Sequence, residues 1–319
     1  MFKLTKSIEI ENENIDVITI GEVIIDMISK GYSTGFENKM FFKYFGGSPG
    51  NIAINLRQLG LKSAVITNLG NDGFGKFLID SLMDFNVNVE GVTLDNKYNT
   101  SLVVVSKSKK NPSFIAYRQA DKELKLTNNL TDLIDNAKIV HFTSWAISHE
   151  PIRTTTMALL DKAKSKGKLI GFDPNYREIL WQKDHNGLKF IKEIIKKVDI
   201  IKPSLDDSKN ILGEDSIDGY IDKYLNLGAK LVILTLGEDG AIIANENNRK
   251  KISAIETSVN DTTGAGDALW SGFYAGVLKG ETIEKSVEIG SAVSALKLKE
   301  TGAITKIPRL SKVKKIFSL

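Results

Sequence analysis

The stretch Asp261-Thr262-Thr263-Gly264-Ala265-Gly266-Asp267 runs directly into an apolar segment without proline that extends to Leu278. Small residues before such a segment predict a tight loop that opens a buried helix. The first amides of a helix lack intrahelical acceptors and carry partial positive charge, so they attract anions such as phosphate. Because Gly264 and Gly266 have no Cβ, a phosphate can approach the backbone closely there. The stretch therefore predicts an anion-binding loop.

The acid at the end of this loop, Asp267, lies about one turn into the predicted helix, beside the anion. A carboxylate next to a phosphate is unfavourable unless it has a chemical task. Taking a proton from an acceptor hydroxyl, while the amides hold the transferred phosphoryl group, is such a task. The alternative is an ordinary helix start, with Asp261 as N-cap and Asp267 as a solvated first-turn acid. The glycines and threonines of the same short loop favour the functional interpretation.

Composition limits the class of protein. With 42% hydrophobic and 26% charged residues, the composition is ordinary for a soluble globular protein, and 319 residues suffice for one large α/β domain or two small ones. A net charge of +4 from scattered lysines indicates no nucleic-acid partner. The absence of cysteine excludes disulfides and thiolate metal sites and favours a cytoplasmic protein. We expect neither a signal peptide nor a membrane partner. The dispersed histidines argue against structural zinc: His141, His149 and His185.

Short apolar segments alternate along the chain with helix-length segments, which predicts a doubly wound α/β layer sandwich. The apolar character of the short segments is continuous, as in a parallel sheet covered on both faces. Ligands of such sheets bind beyond the carboxyl ends of the strands. The predicted strands are 15–20, 64–66, 139–142, 169–172, 200–201 and 231–236. The predicted helices are 51–59, 75–85, 152–165, 188–197 and 217–227.

Three segments interrupt this alternation. Residues 22–44 and 101–118 are strand-like and predict a small separate sheet that covers the site. Residues 240–244 and 250–255 predict a hairpin in the main sheet. No composition shift or repeat indicates a domain boundary.

Two glycine-rich turns precede predicted helices. In Gly46-Gly47-Ser48-Pro49-Gly50-Asn51, the amide of Asn51 offers a donor and an acceptor to hydroxyls, although a tight turn capped by asparagine is an equal alternative. The segment from Gly70 to Lys76 nearly matches a phosphate-binding P-loop, but Phe77 replaces the Ser or Thr that would hold Mg²⁺. We therefore interpret it as a turn. No Gly-x-Gly-x-x-Gly follows the first strand, which argues against a nicotinamide-binding fold.

Polar groups also follow two predicted strands. Glu22 and Asp26 come after the first, and carboxylates accept hydrogen bonds from sugar hydroxyls, although exposed charges at a strand edge are an alternative. Asp173-Pro174-Asn175-Tyr176-Arg177 closes the strand 169–172, where it can meet an anionic or hydroxylated ligand. Alternatively, this segment begins a turn and Arg177 is a surface charge.

Together the motifs resemble the ribokinase (PfkB) family of carbohydrate kinases. Four of them occur in the family's order: Gly21-Glu22-x-x-x-Asp26, Gly46-Gly47 with Asn51, Gly70-Asn71-Asp72-x-x-Gly75, and residues 261–267. The resemblance implies a ribokinase-like three-layer α/β sandwich with a mainly parallel central sheet. It also implies a single kinase domain over residues 1–319, with a β-sheet lid formed by about 22–44 and 99–120.

The same resemblance implies roles for individual residues. Asp267 would be the base that activates the acceptor hydroxyl. The amides of Gly264, Ala265 and Gly266 would form the anion hole for the γ-phosphate. The sugar would be held by the acid, the glycines and the amide of the earlier motifs: Asp26, Gly46, Gly47 and Asn51. The lid often also forms a homodimer in this family.

ATP and Mg²⁺ are the implied cofactors. Thr235 and Gly237 lie in a segment that resembles the turn contacting ATP phosphates. Lys202 opens a segment where the family commonly has Asn-x-x-Glu, which orders water around Mg²⁺. Here Ser204 and Asp207 replace that pair, so the carboxylate is one carbon shorter. Carbonyls near Asp261 and Thr263, with residues 291–302, imply a monovalent cation site such as one for K⁺.

Residues 173–177 followed by Leu180-Trp181, and residues 116–121 on the lid hairpin, most resemble fructokinases. The resemblance implies ATP-dependent phosphorylation of D-fructose to fructose 6-phosphate, with Arg118, Asn175 and Arg177 among the substrate contacts. Kinases of 2-keto-3-deoxygluconate share an arginine-bearing segment of this kind, so both substrates stay open. A nucleoside kinase and a non-catalytic sugar or nucleotide sensor are weaker alternatives.

Overall fold

The computed structural model of the chain describes residues 2–33, 35–107, 113–181 and 186–319. Two sheets account for its strands, which are β1 (Ile15–Ile20), β2 (Ile24–Tyr32), β3 (Phe41–Gly46), β4 (Ser63–Gly70), β5 (Val92–Asp95), β6 (Leu102–Lys107), β7 (Ser113–Tyr117), β8 (Ala137–Thr143), β9 (Leu169–Asp173), β10 (Ile200–Ile201), β11 (Leu231–Thr235), β12 (Ala241–Ala244) and β13 (Arg249–Ile252).

The central sheet has nine strands in the order β13-β12-β11-β10-β9-β8-β1-β4-β5. From β11 to β5 all neighbours are parallel, and the hairpin β12–β13 closes one edge in antiparallel orientation. Its inner strands are buried on both faces, which explains their continuous apolar sequence. The predicted parallel sheet is confirmed, and so is the predicted hairpin in the main sheet, which lies at its edge.

Helices cover both faces of this sheet. They are α1 (Ser48–Leu59), α2 (Gly73–Asp84), α3 (Asn128–Asp135), α4 (Ile152–Ser165), α5 (Gly187–Ile195), α6 (Leu205–Leu212), α7 (Ile217–Asn226), α8 (Ala265–Leu278), α9 (Ile283–Leu298) and α10 (Leu310–Ile316). Two apolar cores lie on opposite faces, with Ile18 and Val140 in one and Val17 and Ile139 in the other, so the three-layer sandwich is confirmed. None of the helices in the described ranges is long and apolar enough to span a membrane.

The second sheet has four strands in the order β3-β2-β6-β7, drawn from the two segments predicted to form the lid. Strands β2 and β6 are parallel, whereas the outer pairs are antiparallel. The side chains of Ile25 and Phe45 pack with α1 and β4 in a third apolar cluster, which ties the lid to the main body. The turn of the predicted hairpin at residues 108–112 lies outside the described residues, as do Thr34 and His185. The assignment of the whole chain to one domain stays a prediction.

Candidate active site

The site forms where the first turns of α1 and α8 meet above the carboxyl ends of the central strands. Asp267, in the first turn of α8, accepts a hydrogen bond from Ser48 Oγ at 2.6 Å and one from Asn51 Nδ2 at 2.9 Å. Ser48 and Asn51 are three residues apart in α1 and therefore lie on the same helix face. The carboxylate is thus fixed in position by two donors from another helix.

One polar atom beside Asp267 has no hydrogen-bond partner among the described residues. Within the described ranges, no donor lies within hydrogen-bond distance of the buried Oδ1 of Asn51. A buried acceptor of this kind is unfavourable unless a ligand supplies a donor. A sugar hydroxyl is such a donor, so the geometry fits the predicted role of Asn51.

The two glycines before α1 make room for Asp26 in the first lid strand and for Glu22 just before that strand. A Cβ on Gly46 would lie 2.3 Å from Asp26 Oδ2, and a Cβ on Gly47 would lie 2.3 Å from the carbonyl oxygen of Glu22. Gly47 also has φ 96°, a conformation that favours glycine. These glycines therefore bring Asp26 and Glu22 close to the start of α1.

The charge of Asp267 acts on two other carboxyls, those of Asp26 and Glu22. Burial raises the pKa of Asp26 to about 7, and the charge of Asp267 adds to this. Burial likewise raises the pKa of Glu22 to about 8. The pKa of Asp267 is raised by burial and, less strongly, by Asp173, whereas the hydrogen bonds from Ser48 and Asn51 lower it. A raised pKa suits a base that works near neutral pH.

The predicted anion-binding loop precedes and enters α8. Gly264 is the helix N-cap with φ 77°, in the left-handed region, and a Cβ there would lie 3.3 Å from the backbone of Ala303. The amide of Ala265 donates to the carbonyl oxygen of Thr262 at 3.2 Å. For the amides of Gly264 and Gly266, the described part of the chain supplies no acceptor. These two amides are free to bind an anion.

Lys202 brings a positive charge to this loop from the end of β10. Its Nζ forms an ion pair with Asp173 Oδ2 at 2.8 Å and would lie 3.5 Å from a Cβ on Gly266. The indole N–H of Trp270 donates to the same Asp173 oxygen at 2.9 Å. Asp173 therefore fixes the ammonium of Lys202 beside the amide of Gly266, where it adds to the attraction for phosphate.

The other residues predicted to bind the nucleotide lie at the ends of adjacent strands. Ser204 follows β10 and pairs with Thr235, the last residue of β11, through a short parallel bridge. Gly237 comes two residues later with φ 63°, and nothing lies within 4 Å of a Cβ placed there. The structure thus brings Lys202, Ser204, Thr235 and Gly237 to one edge of the sheet, and their roles stay predictions.

Asp207 was predicted to contact Mg²⁺ through water. Its Oδ2 accepts hydrogen bonds from the amide and hydroxyl of Ser204, a capping box for α6, and its Oδ1 accepts one from the amide of Tyr176 at 2.8 Å. Oδ1 keeps one acceptor position, which fits a metal-bound water. No cluster of three or more His, Asp or Glu side chains that could hold a metal ion exists among the described residues. The contact of Asp207 with Mg²⁺ through water stays a prediction.

Arg118 lies in a buried network instead of pointing freely toward a ligand. Its guanidinium donates twice to Asp121, also donates to Ser148 Oγ and to the carbonyl oxygen of Trp145, and lies 3.0 Å from His149 Nδ1. Four of its five N–H donors are thus occupied, and the fifth faces His149 Nδ1, which accepts in one of the two neutral tautomers. The contact of Arg118 with substrate stays a prediction, and these partners leave its guanidinium little capacity to bind a sugar carboxylate or phosphate.

Arg177 and Asn175 follow β9 at the same edge of the sheet. The side chain of Arg177 is 46% exposed, lies 3.9 Å from Asp207 Oδ1, and donates to the carbonyl oxygen of its neighbour Tyr176. Most of its donors are free to meet a ligand. Asn175 is exposed and has φ 34°, a turn conformation that asparagine tolerates. Its predicted contact with sugar also stays a prediction.

The side chain of Lys297 reaches the predicted monovalent cation position. The Nζ of Lys297 donates to the carbonyl oxygen of Asp261 at 3.5 Å and to that of Glu300 at 3.1 Å. The Asp261 carboxylate accepts hydrogen bonds from the amides of Thr263 and Gly302, both at 2.9 Å. An ammonium therefore lies beside two backbone carbonyl oxygens of this region, and the role of Asp261 and Thr263 in holding a monovalent cation stays a prediction.

Sequence reasoning did not select Ser48 or Lys297. Ser48 lies in the motif of residues 46–51, three residues before Asn51. That spacing was the available signal, because residues three apart share a helix face. Lys297 carried no such signal, because a lysine near the end of a helix is normally a solvated charge or a C-terminal cap.

A buried carboxylate of raised pKa beside a helix start with open amides, above a parallel sheet with a small β lid, is the arrangement expected of a phosphotransferase that acts on a hydroxyl group. The chain belongs to the pfkB family of carbohydrate kinases, whose family model matches residues 14–310. It is an ATP-dependent sugar kinase of that family.

Two relatives match this chain over nearly its whole length. The ATP-dependent 6-phosphofructokinase of Thermoanaerobacterium thermosaccharolyticum is 47% identical over 319 residues, which are 100% of this chain and 99% of the relative. The probable fructokinase-5 of Arabidopsis thaliana is 33% identical over 315 residues, which cover 94% of this chain and 97% of the relative. The fructokinase of Halothermothrix orenii superposes with a TM-score of 0.80 at 39% identity, covering 87% of this chain and 98% of that structure.

Proposed function

We propose that this enzyme transfers the γ-phosphoryl group of ATP to D-fructose, giving fructose 6-phosphate. The observation that carries the proposal is the set of groups around Asp267. Asn51 offers an unused acceptor, Asp26 and Glu22 are carboxyls, and the nearby Arg118 has most of its donors occupied. Such surroundings suit the hydroxyls of a neutral sugar better than a second anionic group.

In the proposed reaction, Asp267 takes the proton of the sugar hydroxyl as that oxygen attacks the γ-phosphorus. The bond from this phosphorus to the bridging oxygen of ATP breaks, and ADP leaves. The amides of Gly264 and Gly266, with the ammonium of Lys202, stabilise the negative charge on the transferred phosphoryl group. Mg²⁺ would neutralise further charge on the nucleotide phosphates, with Asp207 holding one of its waters.

The nucleotide would lie along the edge formed by the ends of β10 and β11. Ser204, Thr235 and Gly237 are grouped there, and Lys202 connects this edge to the anion-binding loop. The open surface around Gly237 leaves space for phosphates to approach the backbone. ATP bound in this way would direct its γ-phosphate toward Asp267.

The second candidate is a kinase of fructose 6-phosphate, a function supported by the relative that is 47% identical over the full length. In the structure, the half-exposed Arg177 is the cation that could meet the additional phosphate. The same arginine could meet the carboxylate of 2-keto-3-deoxygluconate. The three substrates therefore differ in how much each depends on Arg177.

An ADP-release assay with ATP and Mg²⁺ tests these candidates against fructose, fructose 6-phosphate, 2-keto-3-deoxygluconate, ribose and adenosine. We expect the highest kcat/KM with fructose, and an Arg177→Met variant should keep it within about threefold. A preference for either anionic substrate, reduced at least about tenfold in Arg177→Met, would replace fructose by that substrate and keep the mechanism. Ligand binding without turnover of any substrate would support the sensor instead.

We also propose that the lid forms a homodimer. Large apolar side chains of the lid are exposed, which is costly for a monomer and typical of an interface: Tyr32, Phe36, Met40, Phe42, Ile115 and Tyr117. Light scattering after gel filtration should give twice the monomer mass, and Phe42→Asp should return the protein to a monomer. A wild-type mass of one chain at all concentrations would reject this proposal.

A further inference from the structure

The side chain of Lys297 is buried at the end of α9, beside the loop that leads into α8. The residue is 1% exposed, and its Nζ lies 3.1 Å from the carbonyl oxygen of Glu300 and 3.5 Å from that of Asp261. Burying an ammonium is costly unless acceptors and a counter-charge surround it. Here the carboxylate of Asp261 supplies that charge. Burial lowers the pKa of Lys297, and the charge of Asp261 opposes this effect.

The contacts of Asp261 connect this ammonium to the anion-binding loop. One Asp261 carboxylate oxygen accepts the amide of Thr263, the residue before Gly264, and the other accepts the amide of Gly302. Further hydrogen bonds join the two segments, from the Asn260 amide to the carbonyl oxygen of Leu298 at 2.8 Å and from Asn260 Nδ2 to that of Lys299 at 2.6 Å. The segment 260–264 is therefore fixed against residues 297–303 around a buried positive charge.

Carbonyl oxygens that converge from two segments are the usual ligands of a monovalent cation. In this chain the ammonium of Lys297 lies beside two carbonyl oxygens from two segments, those of Asp261 and Glu300. A double mutant of a fructokinase from Vibrio cholerae was solved with fructose, ADP and a potassium ion bound. It superposes with a TM-score of 0.82 at 26% identity, covering 96% of this chain and 99% of that structure. A chain that carries its own cation at the loop has no need for a dissolved one there.

We propose that Lys297 is a built-in cation that positions the anion-binding loop and makes the enzyme independent of monovalent cations. Lys297 does not touch the substrate. It acts through Asp261 and the loop, and holds the amides of Gly264 and Gly266 in place for the phosphoryl group.

The experiment compares wild type, Lys297→Ala and Lys297→Met in potassium, ammonium, sodium and tetramethylammonium chloride at equal ionic strength. Wild-type kcat should vary by less than about twofold among the salts. Lys297→Ala, which opens space at the carbonyl oxygens, should lose at least about tenfold in kcat in tetramethylammonium and recover much of it in potassium or ammonium. Lys297→Met fills the space without a charge, so its kcat should not recover in potassium or ammonium. The exposed Lys299→Ala variant controls for loss of a lysine nearby.

Thermal unfolding in the same salts provides a readout that needs no substrate. Potassium should raise the Tm of Lys297→Ala above its value in tetramethylammonium, because a ligand of the native state stabilises it, and should leave the Tm of wild type unchanged. Activation of wild type by potassium of more than about fivefold, or a Lys297→Ala variant that responds to no cation, would overturn the proposal. If no sugar is turned over, the Tm comparison still tests Lys297 separately from the proposed function.

Discussion

Ser48 Oγ donates a hydrogen bond to Asp267 Oδ1 at 2.6 Å, and the two residues lie in the first turns of different helices, α1 and α8. Both helices start at the same edge of the sheet, so their partial positive charges act on one carboxylate. This contact links the segment that would bind sugar to the one that would bind phosphate. The relative position of the two reactants therefore depends on a single hydrogen-bonded carboxylate.

Replacing the base tests the centre of the mechanism. Asp267→Asn keeps the shape of the side chain but removes its capacity to take a proton, so kcat should fall by about 10²–10⁴-fold. The binding of ATP, measured by calorimetry, should persist because the loop amides and Lys202 are unchanged. The exposed Asp80→Asn variant serves as control. An Asp267→Asn variant with correct folding and near-full activity would show that Asp267 is not the base.

Removing the hydroxyl of Ser48 should shift the pH dependence of the reaction. The hydrogen bond from Ser48 lowers the pKa of Asp267, so its loss in Ser48→Ala should raise that pKa further. A base with a higher pKa is protonated at higher pH, and the acidic limb of the kcat/KM profile should therefore move upward. We expect a displacement of about half a unit to one unit. Ser81→Ala, which alters a hydroxyl on α2, should leave the limb in place, and an unmoved limb in Ser48→Ala would contradict the coupling.

The sequence was sufficient to predict the elements whose pattern is local. Strand 15–20 and helix 152–165 have the predicted bounds, because a continuous apolar run and an amphipathic repeat each specify one element. The helix predicted at 75–85 begins at Gly73, since Asp72 caps it with hydrogen bonds to two amides. Strand β5 and helix α9 were not predicted, and neither shows a strong pattern: β5 is a short edge strand, and α9 is buried around much of its circumference.

The site was predictable where a motif fixes the backbone, as at residues 261–267. It was less predictable where tertiary packing brings distant charges together. The guanidinium of Arg118 donates hydrogen bonds to Asp121 and Ser148. The ammonium of Lys297 donates to the carbonyl oxygen of Asp261, a residue 36 positions earlier. Whether a long cationic side chain is buried or solvated depends on such partners, which periodicity does not reveal.

The network around Arg118 predicts a loss of stability when its charge is removed. Arg118→Met leaves the buried carboxylate of Asp121 without its ion pair, which should lower the free energy of unfolding by about 3–5 kcal/mol. The double variant Arg118→Met/Asp121→Leu removes both charges and should recover part of the lost free energy of unfolding. Urea unfolding measures this free energy for both variants. If Arg118→Met kept wild-type stability and instead raised the KM for sugar, Arg118 would be a substrate contact.

The buried carboxyl of Glu22 predicts a pH-dependent penalty on folding. Its pKa is raised from 4.5 to about 8, chiefly by burial, while Arg118 and its own backbone amide oppose this. A group whose pKa is raised on folding contributes stability that is present below 4.5 and lost as pH rises through about 8. Glu22→Gln has no such proton to lose, so the wild type should lose stability relative to the variant by on the order of 4 kcal/mol across this range.

Urea unfolding of both proteins at several pH values between 4.5 and about 8 measures that difference. The exposed Glu11→Gln variant is the control and should follow the wild-type curve. If Glu22→Gln also runs parallel to wild type, the carboxyl titrates equally in the folded and unfolded chains, and Glu22 is solvated. If the curves diverge as expected, Glu22 carries its proton in the folded enzyme at neutral pH. A neutral Glu22 would leave less negative charge beside Asp267, which favours the approach of the γ-phosphate.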